Sequence, residues 1–106
     1  LWCADEEDGE TFRACIQIYD ALYNYEQNGT KAVPGLATSY EASPDATIWT
    51  FHLRTGVKFS DGTAFSANDV VANFDAWWDV KSPNHKGRTT NWTYFGSFFG
   101  SQLNAK

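Results

Sequence analysis

Bases are scarce in this chain. Eight Lys and Arg stand against thirteen Asp and Glu, a formal charge of −5 over 106 residues. A protein that holds nucleic acid needs a basic face against phosphate, so no nucleic-acid partner is expected. No apolar run approaches the ~20 residues of a membrane-crossing helix. A glycine-rich phosphate loop is missing, and so is the Gly-x-Ser-x-Gly elbow that presents a nucleophilic serine. The two histidines, His52 and His85, lie far apart in sequence. No carboxylate or thiol spacing follows a zinc or calcium pattern, so neither a metal nor a cofactor is expected. His52, Ser60 and Asp61 are the residue types of a hydrolase triad. However, His52 falls on the wet side of a predicted strand, and Ser60-Asp61-Gly62 reads as a turn. No catalytic residue is assigned and the chain is not expected to be an enzyme.

What is present suits a small folded unit. Hydrophobic residues make up 42% and charged ones 20%, too rich in core formers for a disordered chain. The length bounds it to one domain, residues 1–106, or to a piece of one. The chain starts at Leu1 without an initiator Met, a basic leader or an apolar leader segment, which reads as a processed or excised product. Cys3 and Cys15 are an even, local pair; a disulfide between them and an oxidising compartment are expected. Charge is uneven. Asp5, Glu6, Glu7, Asp8 and Glu10 crowd the first ten residues, whereas Lys81, Lys86, Arg88 and Lys106 follow Asp79 with no acid among them. The basic end is either a patch for an acidic partner or an ordinary solvated segment, and the second reading is preferred.

Periodicity lays out the elements. Phe12, Ile16, Tyr19 and Tyr23 repeat at helical spacing, which predicts a helix over 10–24 with the acids at its N-terminus, where the dipole favours them. Asn28-Gly29 and Val33-Pro34-Gly35 are breaks. Residues 38–43 and 47–54 read as strands joined by the turn Ser43-Pro44-Asp45. In the second strand Trp49, Phe51 and Leu53 alternate with Thr50, His52 and Arg54, so the first set should be buried and the second wet. Residues 57–59 read as a short third strand between the turns Thr55-Gly56 and Asp61-Gly62. Residues 67–79 read as a second helix, with Ser66 as N-cap and Asp69 completing a capping-box-like pair. Val70, Phe74 and Trp77 or Trp78 form its apolar face. The fold class is α+β: a small antiparallel sheet packed with two helices.

Aromatic residues reach 17%. Exposed Trp77, Trp78 and Trp92 would suit a sugar-stacking platform, but a core, or a surface covered by further protein, is the preferred reading.

The stretch VPGLATSYEASPDATIWTFHLRTGVKFSDGTAFSANDVVANFDAWWD, residues 33–79, is more specific. It resembles the bacterial extracellular solute-binding proteins of family 5, the dipeptide, oligopeptide and nickel receptors of ABC importers. The resemblance rests on Pro34-Gly35-Leu36-Ala37, Ser43-Pro44-Asp45, Trp49 to Arg54, Gly56 to Phe59, Asp61-Gly62, Phe65 and Asp69-Val70-Val71. Residues 16–27 are similar to the helix and strand that precede this stretch in the family. Residues 81–95 are similar to the segment that follows it in dipeptide-type receptors.

Several expectations come with the resemblance. Family members are several times longer and have three domains, of which this chain resembles the second, smaller one. The peptide cleft lies between the other two, and the arginine and aspartate clamps on the peptide termini lie beyond residue 106. Only Trp92 and Tyr94 fall in a segment that can approach the cleft, so they alone are candidate ligand-binding residues. The implied function is capture of peptides or similar solutes for import, with this section acting as scaffold. The implied partners are a peptide or small solute bound by the parent protein, the ABC permease and the remaining domains of the same chain. The implied location is periplasmic or extracellular, with a lipid anchor at the membrane surface as one form. The alternative is a free-standing secreted module that uses exposed aromatics to bind carbohydrate or protein.

Overall fold

The structure is a computed structural model, and it describes Cys3 and residues 8–86. The elements are α1 (Gly9–Ile18), β1 (Tyr23–Tyr25), β2 (Ala32–Pro34), β3 (Ala37–Ala42), β4 (Trp49–Leu53) and α2 (Ala67–Trp78). The class is α+β as expected, with two antiparallel two-stranded sheets in place of one. The chain divides into two compact units. One unit carries the strands and the other carries the helices.

In the helical unit, Asp8 caps α1 by accepting from the Thr11 backbone N–H at 2.9 Å and from the Thr11 hydroxyl at 2.7 Å. The helix ends at Ile18, because Tyr19 is extended (φ −112°, ψ 148°). This corrects the helix expected over 10–24: Tyr23 fits the helical period yet lies in β1. The expected apolar stripe is also largely uncovered, with Ile16 72% exposed, and Cys15 is the buried residue of α1. The sulfurs of Cys3 and Cys15 are joined, with Cα atoms 6.2 Å apart. Helix α2 opens directly after Ser66 and buries Ala76. Its C-terminal end is closed by side chains. His85 Nδ1 donates to the Ala76 carbonyl at 2.6 Å, and buried Ser82 lies 3.4 Å from Asp75 Oδ2. Free carbonyls at a helix end need such donors.

In the strand unit, β1 and β2 pair with Tyr23 opposite Pro34 and Tyr25 opposite Ala32. Periodicity announced neither strand, since three residues are too few to show an alternation and Val33-Pro34 reads as a break; a strand within residues 16–27 was implied by the family resemblance alone, and β1 lies there. β3 and β4 form a hairpin with Tyr40 opposite Phe51 and Glu41 opposite Thr50. A register shift between Ala37 and Ser39 leaves Thr38 without an opposite residue; its hydroxyl donates to the His52 carbonyl. The expected third strand over 57–59 is reduced to a single bridge between Lys58 and Ala64.

The Pro-Gly-Leu-Ala segment ties this unit together. The Ala21 carbonyl accepts from Leu36, the Leu22 carbonyl accepts from Gly35 and Ala37, and Arg54 N–H bonds the Leu36 carbonyl. The Arg54 guanidinium then closes on the Gly35 carbonyl with two contacts of 3.2 Å. Gly35 is needed because a Cβ there would collide with the Ala21 carbonyl oxygen and lie 2.8 Å from Asn24 Nδ2. Ala37 is fully buried opposite Leu53.

Candidate functional site

The β3–β4 hairpin sorts its side chains by the two-residue period of a strand. On one face His52 Nε2 lies 3.3 Å from Glu41 Oε1, a diagonal cross-strand pair open to water. The other face is aromatic. Tyr40 and Phe51 are directly opposite with ring centroids 6.1 Å apart, and Trp49 sits diagonally, 5.6 Å from Tyr40. Tyr23 of β1 meets both Tyr40 (5.5 Å) and Phe51 (6.3 Å) edge-on. Such pairs contribute about 0.5–1.5 kcal/mol each beyond burial. The face is not a core: Trp49 is 52% and Phe51 41% exposed. The sequence placed Trp49, Phe51 and Leu53 correctly on one side, but the expectation that they are buried together is corrected. Alternation fixes which side chains share a face, and it does not supply what covers that face.

The turn at the end of this hairpin is a rigid polar cluster. Ser43 Oγ accepts from the backbone N–H of Thr47 and of Ile48, and the Ser43 hydroxyl donates to Asp45. Asp45 also accepts from the Thr47 hydroxyl at 2.9 Å. These hydrogen bonds, from Ser43 first and then Thr47, hold the Asp45 carboxyl below its ordinary value. Ala46 takes the left-handed conformation (φ 56°), and its carbonyl accepts from Trp49 Nε1 at 2.9 Å. The turn thereby orients the outermost ring of the aromatic face.

The other sequence candidates separate. His52 pairs with Glu41, while Asp61 accepts from the Thr63 N–H and hydroxyl; no hydrogen bond joins a triad of His52, Ser60 and Asp61 among the described residues. Trp77 and Trp78 are half-buried rather than open. Trp92 and Tyr94 lie outside the described residues. Among the described residues no group of His, Cys, Asp or Glu is placed to hold a metal ion, and no helix is long and apolar enough to cross a membrane. A shallow cavity of about 290 Å³ is lined by Ala72, Asn73, Ala76, Asn84 and Lys86. Sequence reasoning missed Tyr23 and Tyr40 as members of the aromatic face. Tyr40 could have been found by carrying the two-residue period into residues 38–43, whereas Tyr23 was hidden by its fit to the helical period.

The knot of Gly35 and Arg54, the Ser-Pro-Asp turn and the Trp-x-Phe-x-Leu strand all lie within one matched stretch. Residues 31–103 match the model of the bacterial extracellular solute-binding proteins, family 5, in its middle region. The chain belongs to this family. Over 94 residues it is 37% identical to di/tripeptide-binding protein 1 of Pseudomonas aeruginosa, covering 82% of this chain and 18% of that protein. Over 95 residues it is 35% identical to heme-binding protein A of Haemophilus influenzae, covering 83% and 17%. A solved structure of an ABC transporter-associated periplasmic binding protein from Helicobacter pylori, in complex with the peptide STSA, superposes with a TM-score of 0.72 at 33% identity. That match covers 92% of this chain and 21% of the other. The chain therefore spans about a fifth of the length of the relatives it matches, and the family is one of solute-binding proteins.

Proposed function

We propose that this chain is a section of a periplasmic receptor that captures di- and oligopeptides and delivers them to an ABC permease. The observation that carries the reading is the match to the family over residues 31–103, joined to a structural likeness with a peptide-bound receptor. Peptide is preferred because the match to a di/tripeptide-binding relative covers 82% of this chain, and the solved neighbour holds a peptide. The section's role in the parent is that of a non-catalytic scaffold. Its rigid hairpin and Gly35–Arg54 knot provide a fixed body against which the rest of the receptor packs. The uncovered rings of Tyr40, Trp49 and Phe51 suit a surface made to be covered by protein. Trp92 and Tyr94 contribute at the rim of the cleft. The joined Cys3 and Cys15 fit an oxidising compartment such as the periplasm, and a lipid anchor on the parent would hold it near the permease.

The same exposed rings favour a second reading, a free-standing aromatic module for carbohydrate or protein. The two readings part in a ligand screen. Thermal melting of the full-length receptor is followed with mixed dipeptides, tripeptides, haem, nickel and oligosaccharides. The proposal expects stabilisation by peptides alone, since a ligand that binds only the folded state raises its melting temperature. Stabilisation by oligosaccharide without any response to peptide would replace it with the second reading.

A further inference from the structure

Three places in the described chain put glycine directly after a side-chain carbonyl: Asp8-Gly9, Asn28-Gly29 and Asp61-Gly62. At each, the glycine nitrogen, with no Cβ beside it to hinder approach, can attack the γ-carbon of the preceding residue and close a five-membered imide. The structure separates the three. Both Asp8 oxygens accept hydrogen bonds from Thr11, and this carboxylate caps α1. Asp61 accepts from the Thr63 N–H at 2.9 Å and from its hydroxyl at 2.7 Å. Those bonds, side chain first and backbone second, hold both carboxyls below their ordinary value. An ionised carboxylate resists attack, because only the protonated acid can release water. Asn28 differs on each count. It is a neutral amide in an exposed turn, and among the described residues no hydrogen bond fixes its side chain. Its φ of 62° places it at the left-handed corner of the turn closed by the Gly29 N–H on the Glu26 carbonyl at 3.1 Å. That single exposed bond must open before attack, and such bonds open at small free-energy cost.

We propose that Asn28 is a modification site of this protein, the favoured one among the described residues, converting to aspartate and isoaspartate through a succinimide closed by the Gly29 nitrogen. The Gly29 nitrogen gives its proton to solvent base and bonds to Asn28 Cγ, and the amide nitrogen leaves as ammonia. Water then opens the ring at either carbonyl. The balance is one water consumed and one ammonia released, with no oxidant or reductant. The product carries a new negative charge beside Glu26, whose side chain already lies over Gly29. The isoaspartate form also adds one methylene to the main chain between Tyr25 and Ala32, the last pair of the β1–β2 register, where the Glu26 N–H bonds the Lys31 carbonyl at 2.9 Å. Like charges and a lengthened connection both loosen this hairpin.

The test is incubation of the purified protein in warm, mildly alkaline buffer, followed by peptide mapping with separation of aspartyl and isoaspartyl forms. The expected result is a mass gain of a single dalton at Asn28, split between the two forms, while Asp8 and Asp61 stay unisomerised. Asn28 outlasting Asn73 or Asn84, or isoaspartate rising at Asp61 as fast as at Asn28, would overturn the proposal. In urea the restraint on Asp8 and Asp61 is lost, so their isoaspartate yield should rise; equal yields folded and unfolded would refute the structural selection. Gly29→Ala displaces only the flexible Glu26 side chain and should slow conversion by an order of magnitude. An unchanged rate in that variant would contradict the argument that an unhindered nitrogen at Gly29 selects Asn28.

Discussion

Substituting Gly35 by alanine should destabilise the strand unit more than any other single added methyl among the described glycines. The new Cβ falls well inside 3.0 Å of the Ala21 carbonyl oxygen, 2.8 Å from Asn24 Nδ2 and 3.1 Å from the Leu22 carbonyl oxygen. Two of these neighbours are backbone, so no rotamer change relieves them. The Ala21 and Leu22 carbonyls accept three backbone hydrogen bonds, from Leu36 (2.9 Å), Gly35 (3.0 Å) and Ala37 (3.0 Å). Moving residues 21 and 22 aside breaks one or two of them, at about 1 kcal/mol each. Residual overpacking adds about 1–3 kcal/mol, and the stiffer unfolded chain returns about 0.4–1 kcal/mol. The net expectation is a loss of about 2–3 kcal/mol, a large share of the 5–15 kcal/mol typical of a folded domain. Urea unfolding followed by tryptophan fluorescence measures it. Gly9→Ala is the matched control. A Cβ at Gly9 meets nothing within 4 Å, and the residue opens α1, so this variant should gain about 0.5–1 kcal/mol. A Gly35→Ala variant within about 0.5 kcal/mol of the parent chain, the range of neutral surface changes, would refute the argument that close backbone approach, rather than backbone conformation, requires glycine here.

Three further outcomes follow from the turn, the capped carboxylates and the disulfide. Ala46→Gly relieves a left-handed alanine and should stabilise the hairpin by about 0.5–1 kcal/mol after the added unfolded-state entropy; a loss measured by urea unfolding would contradict the strain assignment. Hydrogen bonds hold the carboxyls of Asp8, Asp45 and Asp61 below the ordinary carboxylate value. Each therefore binds fewer protons folded than unfolded. Their stabilisation is complete above the unfolded value and is lost as pH falls through the folded one. Acid titration of stability should show this decline below about pH 4, and Asp45→Asn should flatten it; an unchanged acid limb would refute the assignment. Cys3→Ala removes the link between residues twelve apart in sequence and should cost about 3 kcal/mol in the chain-entropy model, read as an unfolding midpoint below that of the oxidised parent chain and equal to that of the reduced one; a midpoint equal to the oxidised parent's would refute it.

Where the sequence was legible, local chemistry and tertiary structure agreed. Trp49, Phe51 and Leu53 alternate with polar residues, and β4 has that pattern with its polar side pairing His52 to Glu41. Ser43-Pro44-Asp45 carries its own hydrogen-bonding groups, so the turn was readable from three residues. α2 begins at Ala67, where the sequence placed the start of the second helix. The failures have physical causes. The stripe of Phe12, Ile16, Tyr19 and Tyr23 continues in helical phase past Ile18, but the extended conformation of Tyr19 stops α1 and frees Tyr23 to join the rings of Tyr40 and Phe51. β1 and β2 are held by Gly35, Leu36 and Ala37 bonding back to Ala21 and Leu22, a long-range arrangement that short strands do not announce. The reach of Arg54 to the Gly35 carbonyl spans nineteen residues and is likewise invisible to a local reading. Burial was the least legible property, because the rings of Tyr40, Trp49 and Phe51 are grouped by the strand period but uncovered.

The central claim is that this chain is one section of a peptide receptor and supplies scaffold rather than the cleft. Calorimetric titration of the 106-residue chain beside the full-length receptor, with mixed di- and tripeptides, tests it most directly. Enclosing a small ligand takes opposed walls that bury most of its surface, and an exposed ion pair supplies only about 0–1 kcal/mol of the roughly 8 kcal/mol that micromolar affinity requires. The account predicts saturable micromolar binding by the full-length receptor and no measurable heat from the 106-residue chain. Micromolar binding by the 106-residue chain alone, or none by the full-length receptor, would contradict it.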